Sequence, residues 1–522
     1  AGTKLTQSGI ATSEGEVVLS TDGRYLTVAG YNATSGTASV KSGTNQGTIA
    51  LIDKTGTVTY PVTINRTSGH PYSGDNFRSA VTTDGTKFWT SGDGASSKGG
   101  AYYFTSGSAN SDGVQVSTTN TNTRIVQIVN GQLYTTSSSD VIHKVGTGTP
   151  TTTGNTMTNY VSANTPYSFV FLDMDATVSG PDVVYIASQG TNGILKYSYN
   201  GTTWTARGSL KNTTGNYARG ITAAINCSGT VDLYVTTGVS GDRPTKVVKV
   251  NDAAAYNANI TSNGSNISSV QTLLYTAPAK YALGGICFAP TTNGIVTKST
   301  DNTLASGNFN SLSITAGTTT LSGNIYVADS LYVAGGATLD CGSYTITGSK
   351  FRLISGGNIK IGSVYGITAS TISSVGGNVQ TSCRSFSTGA NYTYSGTADQ
   401  ATGDGLPTTV NNFSCSNANY TVTATSDLTI NGTISIPSTN TLNMGGNELG
   451  AGTSYAMSGT GLLKTLSSDG SHPIPSSKAW DFAVEYGRSG NQSVVAGTYN
   501  ILLLSGGSTK TMVGDATIVD SL

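Results

Sequence analysis

Three histidines, at positions 70, 143 and 472, are the first residues to examine for proton transfer, because imidazole is the side chain whose ordinary pKa lies nearest neutrality. None of His70, His143 and His472 stands in a metalloprotease or hydrolase phrase, and His472 precedes a proline in "SHPIP", which reads as a turn. Two carboxylates in "DMD", Asp173 and Asp175, share one face of a strand, and Asp182 follows in "ATVSGPD". That trio is the candidate calcium site, since calcium takes several carboxylate and carbonyl oxygens from one loop. The "GDG" phrases at 92–94 and 403–405 lack the later acidic positions of a calcium loop and read as turns. Trp89, Trp204 and Trp480, with 27 tyrosines, are candidates for stacking on sugar rings or for filling a core. Charged side chains are too sparse after residue 300 to supply the acid, base and cation cluster of a polysaccharide-cleaving enzyme. The sequence therefore predicts no catalytic residues, no enzyme and no cofactor.

A chain of 522 residues exceeds what one core organises, so at least two domains are expected. Lys+Arg and Asp+Glu are 27 each, which gives a formal net charge of zero and no basic patch for nucleic acid or an anionic membrane. No apolar run is long enough to span a bilayer, and no charged-then-apolar leader opens the chain, so it reads as cytosolic or already processed. The Thr, Ser, Asn and Gly surface favours an extracellular or cell-surface setting for a mature form whose signal peptide has been removed. The five cysteines have no zinc-type spacing. Cys227 and Cys287 fall near one place in neighbouring repeats, so they are a candidate disulfide; small buried thiols are the alternative.

The first three hundred residues repeat a strand, turn, strand phrase: "GEVVLSTDGRYLTVAG" from Gly15, "RSAVTTDGTKFWTSG" from Arg78 and "RIVQIVNGQLYTTSS" from Arg124. It returns from Phe169 and, as "RGITAAINCSGTVDLYVTTG", from Arg219. The Asp-Gly and Asn-Gly pairs are hairpin turns. A sixth opening strand, "YALGGICFAP", starts at Tyr281. About four strands per repeat predicts an N-terminal β-propeller of about six blades over residues 1–293. The phrases "SGIATSEGEVVLSTDGRYLTVAGYNATSGTASV", "NTRIVQIVNGQLYTTSS", "VGTGTPTTTGNTMT" and "YALGGICFAP" resemble a family of secreted bacterial β-propeller proteins of unassigned function. Members of that family carry further strands before the "SGIATSEG" equivalent, so the resemblance implies a last blade short of strands.

Residues 294–522 repeat differently. "IYVADSLYVAGGATLDCGSYTI", from Ile325, aligns without a gap on "LTINGTISIPSTNTLNMGGNEL", from Leu428, and "ATIVDSL", from Ala516, begins a third copy. Short, evenly spaced strands with small polar turns predict a β-solenoid or β-helix, with tandem β-sandwich modules as the alternative. The pattern "AGTYNxLxLSGxxTKTMxGDxTIxxSL" resembles repeats of bacterial surface adhesins exported by type IX secretion. The expected fold is thus all-β, a propeller followed by a solenoid.

An open blade exposes a hydrogen-bonding edge, and the tail offers strands whose continuation is absent. The expected function is an extracellular structural subunit of a filament, assembled head to tail with copies of itself by strand complementation. Thr3 and Leu5 at one end, and Thr517, Val519, Ser521 and Leu522 at the other, are the candidate assembly residues. The alternative is an adhesin or glycan-binding protein with a propeller head and a solenoid stalk.

Overall fold

The computed structural model describes residues 2–189, 191–212, 217–238, 243–369, 376–417, 419–452, 455–468 and 473–521. His472 and Leu522 lie outside the described residues. The chain divides into two compact units, Ala1–Thr292 and Asn293–Leu522.

The first unit is a propeller with five blades among the described residues, not about six. Blade 1 consists of Val17–Leu19, Tyr25–Tyr31, Gly47–Asp53 and Val58–Ile64, with Ser108–Ser111 added in parallel at its rim. Blade 2 is Phe77–Thr82, Lys87–Gly92, Ala101–Thr105 and Val114–Ser117; blade 3 is Thr123–Val129, Gln132–Ser137, Val141–Val145 and Met157–Ser162. Blade 4 is Pro166–Leu172, Val183–Ser188, Asn192–Tyr199 and Trp204–Lys211, and blade 5 is Tyr217–Ile225, Val231–Gly238, Lys246–Asp252 and Thr272–Thr276. Each blade is an antiparallel meander, and each inner hairpin is one of the repeated phrases. In blade 3 the turn residues Asn130 and Gly131 both have positive φ, 47° and 73°, the backbone that a two-residue hairpin of this twist demands.

The blades pack face to face through buried aliphatic and aromatic side chains. Tyr134, Ile142 and Val161 of blade 3 meet Phe169, Phe171 and Val184 of blade 4, and Val183, Tyr185 and Ile194 of blade 4 meet Ile221, Leu233 and Val248 of blade 5. Within the latter contact lies one fully buried ion pair, Lys196 Nζ to Asp252 Oδ2 at 2.8 Å. Burial alone would raise the Asp252 pKa. Hydrogen bonds from Lys196, Tyr185 (2.6 Å) and the Thr261 backbone outweigh it, and the carboxyl is held below its ordinary value.

The sixth opening phrase forms no ladder. Residues 281–290 run extended between blade 5 and blade 1, held by Gly285 N–H to the Gly15 carbonyl (2.8 Å), Leu283 N–H to the Pro244 carbonyl (2.6 Å) and Thr236 Oγ1 to the Gly284 carbonyl (2.9 Å). The glycines permit this approach: a Cβ on Gly284 would stand 1.8 Å from the Gly15 carbonyl oxygen, and one on Gly220 would stand 2.7 Å from Gly285 Cα. A blade needs partners for this strand, and the described residues supply none.

In the second unit every strand pair is parallel, which fits a β-solenoid of about 11 turns and not tandem sandwiches. Inward side chains stack coil on coil. Leu339, Ile359, Tyr392, Phe413 and Ile434 form one buried ladder, and Val422, Leu442, Leu463, Val484 and Leu502 another. Asparagines stack likewise, Asn391 Nδ2 donating to Asn358 Oδ1 at 2.9 Å and Asn411 Nδ2 to Asn391 Oδ1 at 2.8 Å. The two gap-free phrases of the sequence are one coil each, for Ile325 pairs with Ile346 and Leu428 with Leu449.

Replacing Lys196 with Met leaves the Asp252 carboxylate buried without its cation and is expected to cost about 3–5 kcal/mol of propeller stability. Lys196→Met combined with Asp252→Leu is expected to recover most of that loss. Urea unfolding followed by circular dichroism measures both.

Candidate functional site

Blade geometry brings together residues that head the inner strands. Aligned on their hairpin turns, the repeats place Glu16, Arg78 and Arg124 at one position, and Arg219 opens the corresponding strand of blade 5. The guanidiniums of Arg124 and Arg219 lie over the Tyr167 ring at 4.4 and 4.2 Å. Arg78 donates to the Thr123 carbonyl (2.7 Å) and to Asn122 Oδ1 (2.6 Å). Ser168 Oγ donates to Glu16 Oε1 at 2.6 Å, and burial, only partly offset by that bond, pushes the Glu16 carboxyl up to about 8. Glu14 accepts from Tyr31 Oη, Asn76 Nδ2 and the Ser8 amide. The cavity among Thr12, Glu16, Tyr167, Arg219 and Leu283 measures about 10 Å³, the space of a single water. These charged groups therefore tie the blades to one another. Arginine at the head of three repeated phrases was the sequence signal for this ring.

The segment 281–290 presents a different surface. The Tyr281 and Phe288 side chains are exposed, and among the described residues the amides of Ile286, Cys287, Phe288 and Ala289 have no hydrogen-bond partner. The outer strand of blade 5, Thr272–Thr276, is also exposed along its whole length, with Leu273, Leu274 and Tyr275 at 52%, 49% and 50%. Apolar side chains grouped on an unpaired edge are the mark of an association surface.

Thr3 and Leu5 are half-buried. Their segment is already bonded to blade 1, Thr6 N–H to the Tyr31 carbonyl and Lys4 N–H to Asn32 Oδ1, both at 2.9 Å. Thr517, Val519 and Ser521 lie on Ala516–Ser521, a strand paired only with Gly497–Leu504 among the described residues. Ala516 and Ile518 point into the solenoid core, while Thr517, Val519 and Ser521 are exposed. Leu503, Leu504, Met512 and Val513 are exposed in the same coils.

The acidic trio does not converge on a common point. Asp182 is buried and accepts from the amides of Met174 (2.9 Å) and Asp175 (2.5 Å), whereas Asp175 accepts from Thr177. Among the described residues no group of three His, Cys, Asp or Glu side chains is placed to hold a metal ion. The Cys227–Cys287 disulfide is not formed, and Cys287 is a free, half-buried thiol.

His70 Nδ1 lies 2.7 Å from Asp112 Oδ1 at the surface, and His143 Nε2 lies 2.8 Å from Ser137 Oγ, its pKa lowered by burial. The Ser137 hydroxyl beside His143 is fully buried, and His70 faces a carboxylate. Trp89 and Trp480 are core residues, 1% and 2% exposed, and Trp89 Nε1 donates to the Pro150 carbonyl. Trp204 is half-buried and sits in a cluster with Tyr160 and Tyr199. No helix among the described residues is long and apolar enough to cross a membrane.

No family model matches the chain, and no curated protein matches it. Among solved structures, the β-propeller domain of Cps50 (Swd1) from Myceliophteria thermophila is similar at 11% identity and a TM-score of 0.29, over 54% of this chain and 91% of that one. A protein of unknown function from Bacteroides thetaiotaomicron is similar at 11% identity and a TM-score of 0.28, over 55% of this chain and 68% of that one. Neither likeness assigns an activity.

Glu16 supplies a pH test of the axial ring. Its folded pKa of about 8 exceeds its ordinary value of 4.5, so the folded state keeps a proton that the unfolded chain has lost. Propeller stability is expected to fall as pH rises from 4.5 toward 8, by up to about 1.4 kcal/mol per pH unit. Glu16→Gln is expected to abolish that slope and to be the more stable protein at the alkaline end, measured by denaturant titration across this range.

Proposed function

We propose that this protein is an extracellular structural subunit that assembles head to tail into a filament, one copy completing another by adding strands. The observation that carries the proposal is the segment 281–290, which joins no sheet. Its amides at residues 286–289 are unpaired among the described residues, its Tyr281 and Phe288 are exposed, and Leu273, Leu274 and Tyr275 are exposed on the outer strand of blade 5. Such an edge takes an incoming strand through main-chain hydrogen bonds, and the adjoining apolar side chains supply pockets for alternate side chains of that strand.

The donor in this reading is the solenoid's Ala516–Ser521 region, which carries one free edge among the described residues and the exposed side chains Thr517, Val519 and Ser521. A contact between two different surfaces of one chain propagates unless its rotation closes a ring. The low charged fraction, 10%, and zero formal net charge suit close packing of copies.

Electron microscopy of native material is expected to show regular fibres. Deleting residues 514–522, or replacing Tyr281 with Asp, is expected to leave a folded subunit that no longer sediments as polymer. Polymer that forms unchanged in both variants contradicts strand donation to this edge.

A further inference from the structure

A second surface of the propeller has the make-up of a ligand site. A cleft of about 400 Å³ opens between the outer strand of blade 3, Met157–Ser162, and the third and fourth strands of blade 4. Its volume falls in the range of about 300–1,000 Å³ usual for small-molecule sites. Tyr197 and Tyr199 project from one face of their strand, and Trp204 is the cross-strand partner of Tyr199. The Tyr199 and Trp204 ring centroids are 5.1 Å apart with planes inclined by 31°, so Tyr199 packs obliquely against the indole face and the pair presents its outer ring surfaces to the cleft. Tyr160 arrives from blade 3 and stands edge-on to Trp204 at 5.6 Å and 74°, forming a wall. Phe171 packs beneath, 5.6 Å from Trp204, and keeps the indole from sinking into the core.

The rim is polar and uncharged. Asn159 and Thr203 line the mouth, both exposed, and no Asp, Glu, Lys, Arg or His belongs to the lining. Flat aromatic faces suit the C–H face of a pyranose ring, amide and hydroxyl groups suit its hydroxyls, and the lack of charge discriminates against anionic ligands. We propose that this cleft binds a neutral saccharide, with the aromatic cluster of Trp204, Tyr199 and Tyr160 as its stacking surface. The site lies on the blade 3 and blade 4 side of the propeller and requires nothing of the segment 281–290, so it stands apart from the assembly proposal.

Trp204 provides the readout, because Trp89 and Trp480 are buried and Trp204 is the half-exposed indole. The full-length chain, dispersed as single subunits, is titrated with cellohexaose, laminarihexaose, xylohexaose and mannohexaose while tryptophan emission is recorded, with oligogalacturonate as the anionic control. At least one neutral oligosaccharide is expected to give a saturable change in emission and the anionic one none. Tyr199→Ala is expected to weaken the interaction by about tenfold, and Ser162→Arg, an exposed change at the cleft that leaves the core intact, is expected to abolish it. The proposal is overturned if no neutral probe changes the emission up to about 10 mM. It is equally overturned if binding measured by calorimetry survives both variants undiminished.

Discussion

Gly285 donates to the carbonyl of Gly15, and the propeller ring closes through that contact. Only residues without a Cβ reach it, since a methyl at Gly284 would overlap the Gly15 carbonyl oxygen. Five blades stand among the described residues, and the segment 281–290 lies against blades 5 and 1 without joining a sheet. The same approach that closes the ring leaves the following amides, at residues 286–289, pointing away from any partner among the described residues. Backbone groups of this kind are costly to bury unpaired and prone to pairing when exposed.

Strand edges govern the second unit too. A solenoid coil covers the apolar side chains of the coil before it, which is why Ile359, Phe413, Leu442 and Val484 are wholly buried. Where the described residues offer no further coil, Leu503, Leu504, Met512 and Val513 stand exposed and Ala516–Ser521 keeps a free edge. Asparagines bridge successive coils: Asn391 and Asn411 donate to the asparagine of the coil before, and Asn412 Oδ1 accepts from the Thr433 amide of the next.

Much of the fold was legible because the signals are local. Asp-Gly and Asn-Gly turns flanked by alternating apolar residues marked the inner hairpins, and the one-coil phrases at Ile325 and Leu428 marked the solenoid. The blade count was misread because "YALGGICFAP" has the alternation of an inner strand, while membership of a blade depends on partners far away in sequence. The cysteine pairing failed for a related reason. Register against a neighbouring blade is set by the Gly220–Gly285 contact, which no spacing between Cys227 and Cys287 reveals. Trp204 was recognisable as a stacking candidate, but Tyr160 joins it from another blade, and a cleft built across two blades has no linear motif. The acidic trio had the right residue types for calcium, yet Asp182 serves its own loop's amides instead.

In the proposed assembly, strands from a neighbouring copy pair with the segment 281–290. Hydrogen exchange followed by mass spectrometry, comparing assembled material with dispersed subunits, tests this at the amides concerned. Strong protection of residues 286–289 on assembly, with no comparable change in the inner strands of the other blades, is expected. Equal, rapid exchange of residues 286–289 in both states would contradict it, because an edge that takes part in a ladder cannot keep its amides open to water.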